Sequence, residues 1–221
     1  MNLALFDLDH TLLPIDSDHT WGAFCIAEGL VDPVEHKTRN DEFAAQYRAG
    51  TLDIYAYVAF AMRVAASAGA ARAAELHKKY MDDWIKPAIK PQALNLVHQH
   101  QERGDTCVII TATNEFVTRD IATAFGVKDL IAVSLERDAS GHFTNRVAGV
   151  PSFQGGKVTR MNMWLAAQGL TWADVPRSTF YSDSMNDLPL LERVTEPVAT
   201  NPDERLRALA KQRQWQILDL F

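Results

Sequence analysis

The chain has 221 residues and a net charge of −6 at pH 7, which argues against a general nucleic-acid-binding surface. Hydrophobic residues make up 47% of it and charged residues 23%, enough for one large domain, or one domain with a modest insertion, around a sizeable core. No stretch of about 20 residues is apolar and free of charge, and MNLALFDLD lacks the basic and long apolar regions of a leader, so the expectation is a cytoplasmic protein with no membrane partner.

Taken in chain order, the first candidate strand is LALFDLD (3–9), an apolar run that ends in two carboxylates, Asp7 and Asp9. Residues 15–88 then hold four helical patterns, roughly 17–29, 33–49, 52–68 and 70–85, punctuated by Gly29, Gly50 and Gly69 and closed by Pro87 and Pro91. The Ala-rich VAASAGAARAAEL (64–76) suits close helix packing, and the aromatics Trp21, Phe24, Tyr55, Tyr57 and Phe60 are expected to pack this segment, with one or two lining a substrate pocket. A helix over 93–103 carries His98 and His100; two apart, they point to different helix faces, so solvent exposure is expected rather than zinc. Strands at 106–112, 129–136, 178–183, 197–200 and 215–218 alternate with helices at 115–125, 156–168, 185–194 and 203–214. ERDASGHFTNRVAG (136–149) reads as a hairpin beside the sheet, turning at Ala139-Ser140-Gly141. Cys25 and Cys107 belong to apolar patterns outside any C-x-x-C motif and read as two reduced core thiols.

Near-continuous apolar strands separated by helices predict an α/β fold, a Rossmann-like parallel sheet covered on both faces. The domain expectation is a catalytic core of 1–14 and 89–221 with a helical cap domain, 15–88, inserted after the first strand. Nothing in the sequence sets an oligomeric state.

Polar residues end several of these strands or open the next helix: Asp7 and Asp9, Thr111, Lys157 after Gly155-Gly156, and Asp183 with Asp187 in YSDSMND. Ligands of open α/β sheets bind at that edge. Several carboxylates converging there repel one another unless a hard divalent cation intervenes, and Mg²⁺ favours a few carboxylates with water and phosphate. A lysine and a hydroxyl nearby suit a phosphoryl group.

FDLDHT resembles the D-x-D-x-T motif of the haloacid dehalogenase superfamily of phosphohydrolases. Thr111, Lys157 and Asp183 with Asp187 match its second to fourth motifs in order, and the helical insertion sits where the subfamily with a helical cap has it; the chain is most similar to the phosphoserine phosphatase-like branch. The resemblance implies Asp7 as nucleophile forming an aspartyl-phosphate, and Asp9 as general acid and base. It implies Mg²⁺ held by Asp7, the Asp9 carbonyl and Asp183, with Asp187 completing the shell directly or through water. Thr111 and Lys157 would hold phosphoryl oxygens, and Asn186 would orient the loop or Asp187. His10 and Ser182 depart from the usual motif residues without removing a group that the chemistry needs.

The implied activity is hydrolysis of a small phosphorylated metabolite. The alternatives are a phosphotransferase or mutase using the same intermediate, and a non-catalytic phosphometabolite-binding protein. Asp16 occupies the position of the family's cap-side acid, one methylene shorter than the usual Glu, and by that resemblance would face a substrate amine. The box-like GTLDI (50–54) is followed by YAYVAFAM, with no basic residue before Arg63. The carboxylate clamp of phosphoserine phosphatases is thus missing there, with Arg39 or Arg48 as substitutes, and an amine-bearing ester such as histidinol phosphate fits better.

Overall fold

The computed structural model describes all 221 residues. Six parallel strands, β1 (Leu3–Phe6), β2 (Thr106–Asn114), β3 (Asp129–Val133), β6 (Ser178–Ser182), β7 (Glu196–Thr200) and β8 (Gln216–Leu218), form one sheet in the order β3-β2-β1-β6-β7-β8. Side-chain alternation sorts the core into two faces. Ala4, Phe6, Cys107 and Ile109 pack toward helices α6 (Pro91–Glu102) and α7 (Glu115–Ala124) and the helical segment that follows β1. Leu3, Leu5, Val108 and Ile110 pack toward α8 (Gly155–Ala167), α9 (Leu188–Leu191) and α10 (Glu204–Arg213). This is the two-faced parallel sheet that the continuous apolar strands predict. Both cysteines are free and buried, and no helix is long and apolar enough to cross a membrane.

Between β1 and β2 lie α1 (Ser17–Ala27), α2 (Pro33–Ala49), α3 (Ile54–Ala61), α4 (Arg63–Ala68) and α5 (Ala70–Tyr80), the last continuing as a wider turn over Met81–Ile85. Aspartates cap the first three: Asp16, Asp32 and Asp53 accept backbone N–H groups of the first turn. The single helix expected over 52–68 is broken at Met62. The Trp21 indole donates to the Ala61 carbonyl at 3.3 Å, drawing that carbonyl away from the helical ladder.

Three other expectations are corrected. β1 stops at Phe6 instead of running to Asp9, because the Leu8 carbonyl accepts the N–H groups of Thr11, Leu12 and Leu13 and turns the chain. The hairpin β4 (Leu135–Arg137) and β5 (Phe143–Val147) is antiparallel as expected, but it lies against α3 and α4 rather than beside the sheet. His98 is exposed, whereas His100 is buried, facing Asp105 at 2.7 Å and the Tyr181 hydroxyl at 2.8 Å.

Candidate active site

In the strand order β3-β2-β1-β6-β7-β8 the direction of progression reverses between β1 and β6. Such a switch point opens a crevice at the carboxyl ends of the strands. β1 ends into Asp7 and β6 into Asp183, and the register pairs Phe6 with Tyr181, so the two carboxylates emerge side by side. A cavity of about 500 Å³ lies over them, its other wall formed by α1, α2 and α3.

Asp7 is buried, and its Oδ1 accepts from Lys157 Nζ at 2.7 Å. Lys157 is fully buried at the start of α8 and also donates to Asp187 Oδ2 at 2.7 Å. Burial opposes the lysine charge, but Asp187 and Asp7 outweigh it and hold the ammonium above the ordinary lysine range. Asp187 Oδ2 also accepts from Ser182 Oγ at 2.7 Å, so this departure from the usual motif residue secures the carboxylate. Asp187 does not line the cavity; it stands behind Asp7, where burial pushes it up to about 6 against the pull of Lys157. Asp183 does line the cavity. Burial, then the charges of Asp7 and Asp187, push it well above the carboxylate range. Thr11 ties the two strand ends together: its Oγ1 lies 3.3 Å from both Asp7 Oδ2 and Asp183 Oδ1 and accepts the Asp183 N–H.

Asp9 reaches the same cavity through the turn after β1, where His10 adopts a left-handed φ of 58°. Its Oδ1 accepts the Ser17 N–H at 2.7 Å and its Oδ2 accepts from Thr113 Oγ1 at 2.8 Å. Burial, then the charge of Asp16, push Asp9 up to about 7. Thr111 is buried at the cavity wall; its Oγ1 accepts the Thr113 N–H at 3.1 Å, which leaves its own proton free for a ligand oxygen.

The far wall is acidic and aromatic. Asp16 caps α1 through one oxygen, taking the His19 N–H at 2.8 Å, and also lines the cavity. Asp18, which the sequence reading missed, is buried on the same wall. Its oxygens face the Asn114 amide at 3.3 and 3.4 Å, and burial, then the charges of Asp16 and Asp9, push it well above the carboxylate range. Phe43, Tyr47 and Tyr57 complete that wall. Of the two arginines weighed from sequence, Arg48 lines the exposed rim, whereas Arg39 lies outside, paired with Glu42 and stacked over Phe43. Asn186 does not hold Asp187. Its Nδ2 reaches across the cavity mouth to the Tyr47 carbonyl at 2.9 Å, and Gln154 Nε2 donates to the Gly50 carbonyl at 3.1 Å.

Comparison with known proteins identifies the family and the fold. The family model described as haloacid dehalogenase-like hydrolase matches residues 4–192. The chain is 43% identical over 218 residues to a histidinol-phosphatase of Neisseria meningitidis, covering 99% of this chain and 98% of that protein. It is 29% identical over 219 residues to a phosphoserine phosphatase of Mycobacterium tuberculosis, covering 98% of this chain and 70% of the relative. A crystal structure of a Bordetella pertussis protein of unknown function superposes with a TM-score of 0.93 at 47% identity, covering 100% of this chain and 99% of that one. A substrate-bound phosphoserine phosphatase shares the fold at a TM-score of 0.68 and 14% identity, covering 98% and 92%.

Proposed function

The chain belongs to the haloacid dehalogenase-like hydrolases and is a phosphatase of a small phosphorylated molecule, and from that premise we propose that it cleaves an amine-bearing phosphomonoester through an aspartyl-phosphate on Asp7. The carrying observation is Asp7 held between Lys157 and Thr11 at the floor of a cavity, with Asp9 at its side. A carboxylate whose charge is offset by one buried lysine is fixed in place for attack on phosphorus. Asp9, pushed up to about 7, carries a proton near neutral pH and can pass it to the leaving oxygen, then accept one from water. Thr111 offers its hydroxyl proton to a phosphoryl oxygen. Lys157 is fully buried and does not line the cavity; it acts behind Asp7, restraining that carboxylate and offsetting its charge.

The donor set fits Mg²⁺. Asp7 and Asp187 share a single buried lysine and Asp183 stands beside them, and the mutual repulsion of the three is the charge excess that a divalent cation offsets. No three acidic, histidine or cysteine side chains are grouped to hold a metal ion by themselves, so the ion would draw on a backbone carbonyl, water and substrate oxygens as well. Asp7, the Asp9 carbonyl and Asp183 would hold the ion, with Asp187 reaching it through water. Bound there, Mg²⁺ supplies positive charge to the phosphoryl oxygens.

The amine follows from the far wall. The hydrogen-bond partners of Asp16 and Asp18 are a backbone N–H and an amide, neither of them cationic. A buried carboxylate without a cation is costly, and a substrate ammonium beside Phe43 and Tyr57 offsets that cost. The relative named histidinol-phosphatase supports an amino-alcohol phosphate, and histidinol phosphate is the leading candidate.

The test is phosphate release from a panel of metabolite phosphates without added acceptor. The expected result is Mg²⁺-dependent release, with kcat/KM at least tenfold higher for amine-bearing than for neutral esters, since one lost charged hydrogen bond costs about 1.5–3 kcal/mol. Asp7→Asn abolishes turnover of every ester, aryl phosphate included. Full turnover by Asp7→Asn would refute the mechanism, and release only on addition of an acceptor alcohol would make the protein a phosphotransferase.

A further inference from the structure

The two oxygens of Asp9 have unlike neighbours. Oδ1 takes a backbone N–H, that of Ser17, and Oδ2 takes a hydroxyl, that of Thr113. A peptide N–H only donates, so Oδ1 stays an acceptor whether or not the carboxyl is protonated. A hydroxyl donates or accepts by rotating about one bond, so the neighbour of Oδ2 adapts to a proton there. We propose that Thr113 is a positioning residue that makes Oδ2 the proton-carrying oxygen of Asp9 and holds it toward the ester oxygen of the substrate. The inference rests on Asp9 being the general acid.

The backbone places Thr113 for this role. The β2–β3 register shifts between Ile110 and Asn114, and such an irregularity re-aims side chains at the end of a strand. Thr111 and Thr113, two apart on β2, both line the cavity, as residues on one face of a strand do. The Thr113 N–H is fixed on Thr111 Oγ1, and the next residue, Asn114, caps α7 through the Val117 N–H. Thr113 is 5% exposed, so little of it meets bulk solvent.

In the first step a bond forms between an Asp7 oxygen and phosphorus while the ester P–O bond breaks. The electron pair of that bond leaves on the ester oxygen, which takes the Oδ2 proton and departs as the alcohol. Asp9 is then a carboxylate, and Thr113 turns its O–H toward Oδ2, the arrangement in the structure. In the second step water attacks phosphorus, its proton passes to Oδ2, and the Asp7–phosphorus bond breaks to release inorganic phosphate.

Leaving groups separate this role from a merely structural one. A nitrophenolate departs without a proton, whereas an alkoxide requires one. Single-turnover cleavage is measured for p-nitrophenyl phosphate and an amino-alcohol phosphate in the wild type, Thr113→Val, Thr113→Ser and Asp9→Asn. The expected result for Thr113→Val is a rate for the alkyl ester about tenfold or more below wild type, part of the 10²–10⁴-fold that general acid catalysis contributes, with a several-fold smaller loss for the aryl ester. Thr113→Ser restores the alkyl rate. Thr113→Ala replaces the valine variant if that does not fold. Equal losses on both esters, or no rescue by serine, would overturn the inference. If Asp9→Asn itself loses equally on both esters, the assignment of Asp9 fails; if Asp9→Asn discriminates and Thr113→Val does not, only the role of Thr113 fails.

Discussion

The placement of Lys157 depends on a residue without a side chain. A Cβ on Gly156 would lie 2.0 Å from the Pro151 carbonyl oxygen, so any larger residue displaces the first turn of α8. Gly156→Ala is therefore expected to lower stability by about 1–3 kcal/mol, as overpacking does, and to cut kcat more than KM because Lys157 moves relative to Asp7. Denaturant unfolding and steady-state kinetics check both, and a variant with wild-type stability and kcat would contradict the tight approach. At this scale the sequence is legible where a polar residue terminates an apolar run, as at Asp7, Thr111 and Asp183. Thr113, Asp18 and Ser182 were not legible. The partner of Thr113 is 104 positions away, and that of Asp18, Asn114, is 96 away. Ser182 gave a signal, the departure from the usual motif residue, but its bond to Asp187 needed the turn geometry to be seen.

Among the elements, the packing of α1 on α2 contains an uncompensated group. His36 is 3% exposed, both of its ring nitrogens lack hydrogen-bond partners, and the ring stacks on Phe60 at 4.4 Å. Burial, then the charge of Arg63, lower its pKa from 6.5. Below pH 6.5 the unfolded chain binds a proton that the folded chain resists, so the contribution of neutral His36 to stability is present above that pH and is lost as pH falls toward the lowered folded value. His36→Phe keeps the stack and removes the titration. The expected outcome is a melting temperature at or above wild type at pH 7 and a shallower decline between pH 6.5 and 5, read by thermal scans; an unchanged decline would contradict it. Helix positions in this segment were legible from glycine punctuation and aspartate caps. The break at Met62 was not, because it comes from the indole of Trp21, 40 positions from the carbonyl it binds.

For the whole molecule we propose that residues 15–88 act as a cap over a core of 1–14 and 89–221, which makes the cavity mouth the contact that governs entry and release. Asn186 and Gln154 on the core side hold the carbonyls of Tyr47 and Gly50 on the other. Asn186→Ala and Gln154→Ala together are expected to raise KM several-fold, since each hydrogen bond contributes about 0.5–1.5 kcal/mol, while unfolding of the core is unchanged. Steady-state kinetics with a thermal scan tests this, and unaltered KM in the double variant would argue against the latch. The alternation of strands and helices made the sheet and its insertion readable from one sequence. Strand order and the switch point between β1 and β6 came only with the structure, because pairing across 172 positions, as between Thr11 and Asp183, leaves no local trace.

The central claim is that phosphorus passes through Asp7. Acid quenching of the protein during turnover of a phosphate-labelled substrate tests it directly. The expected result is a label that survives acid, is released by hydroxylamine as an acyl phosphate is, maps to the peptide containing Asp7, and is absent from Asp7→Asn. A protein that releases phosphate at the wild-type rate while no label is trapped on that peptide at any quench time, or that keeps the label in Asp7→Asn, would contradict it.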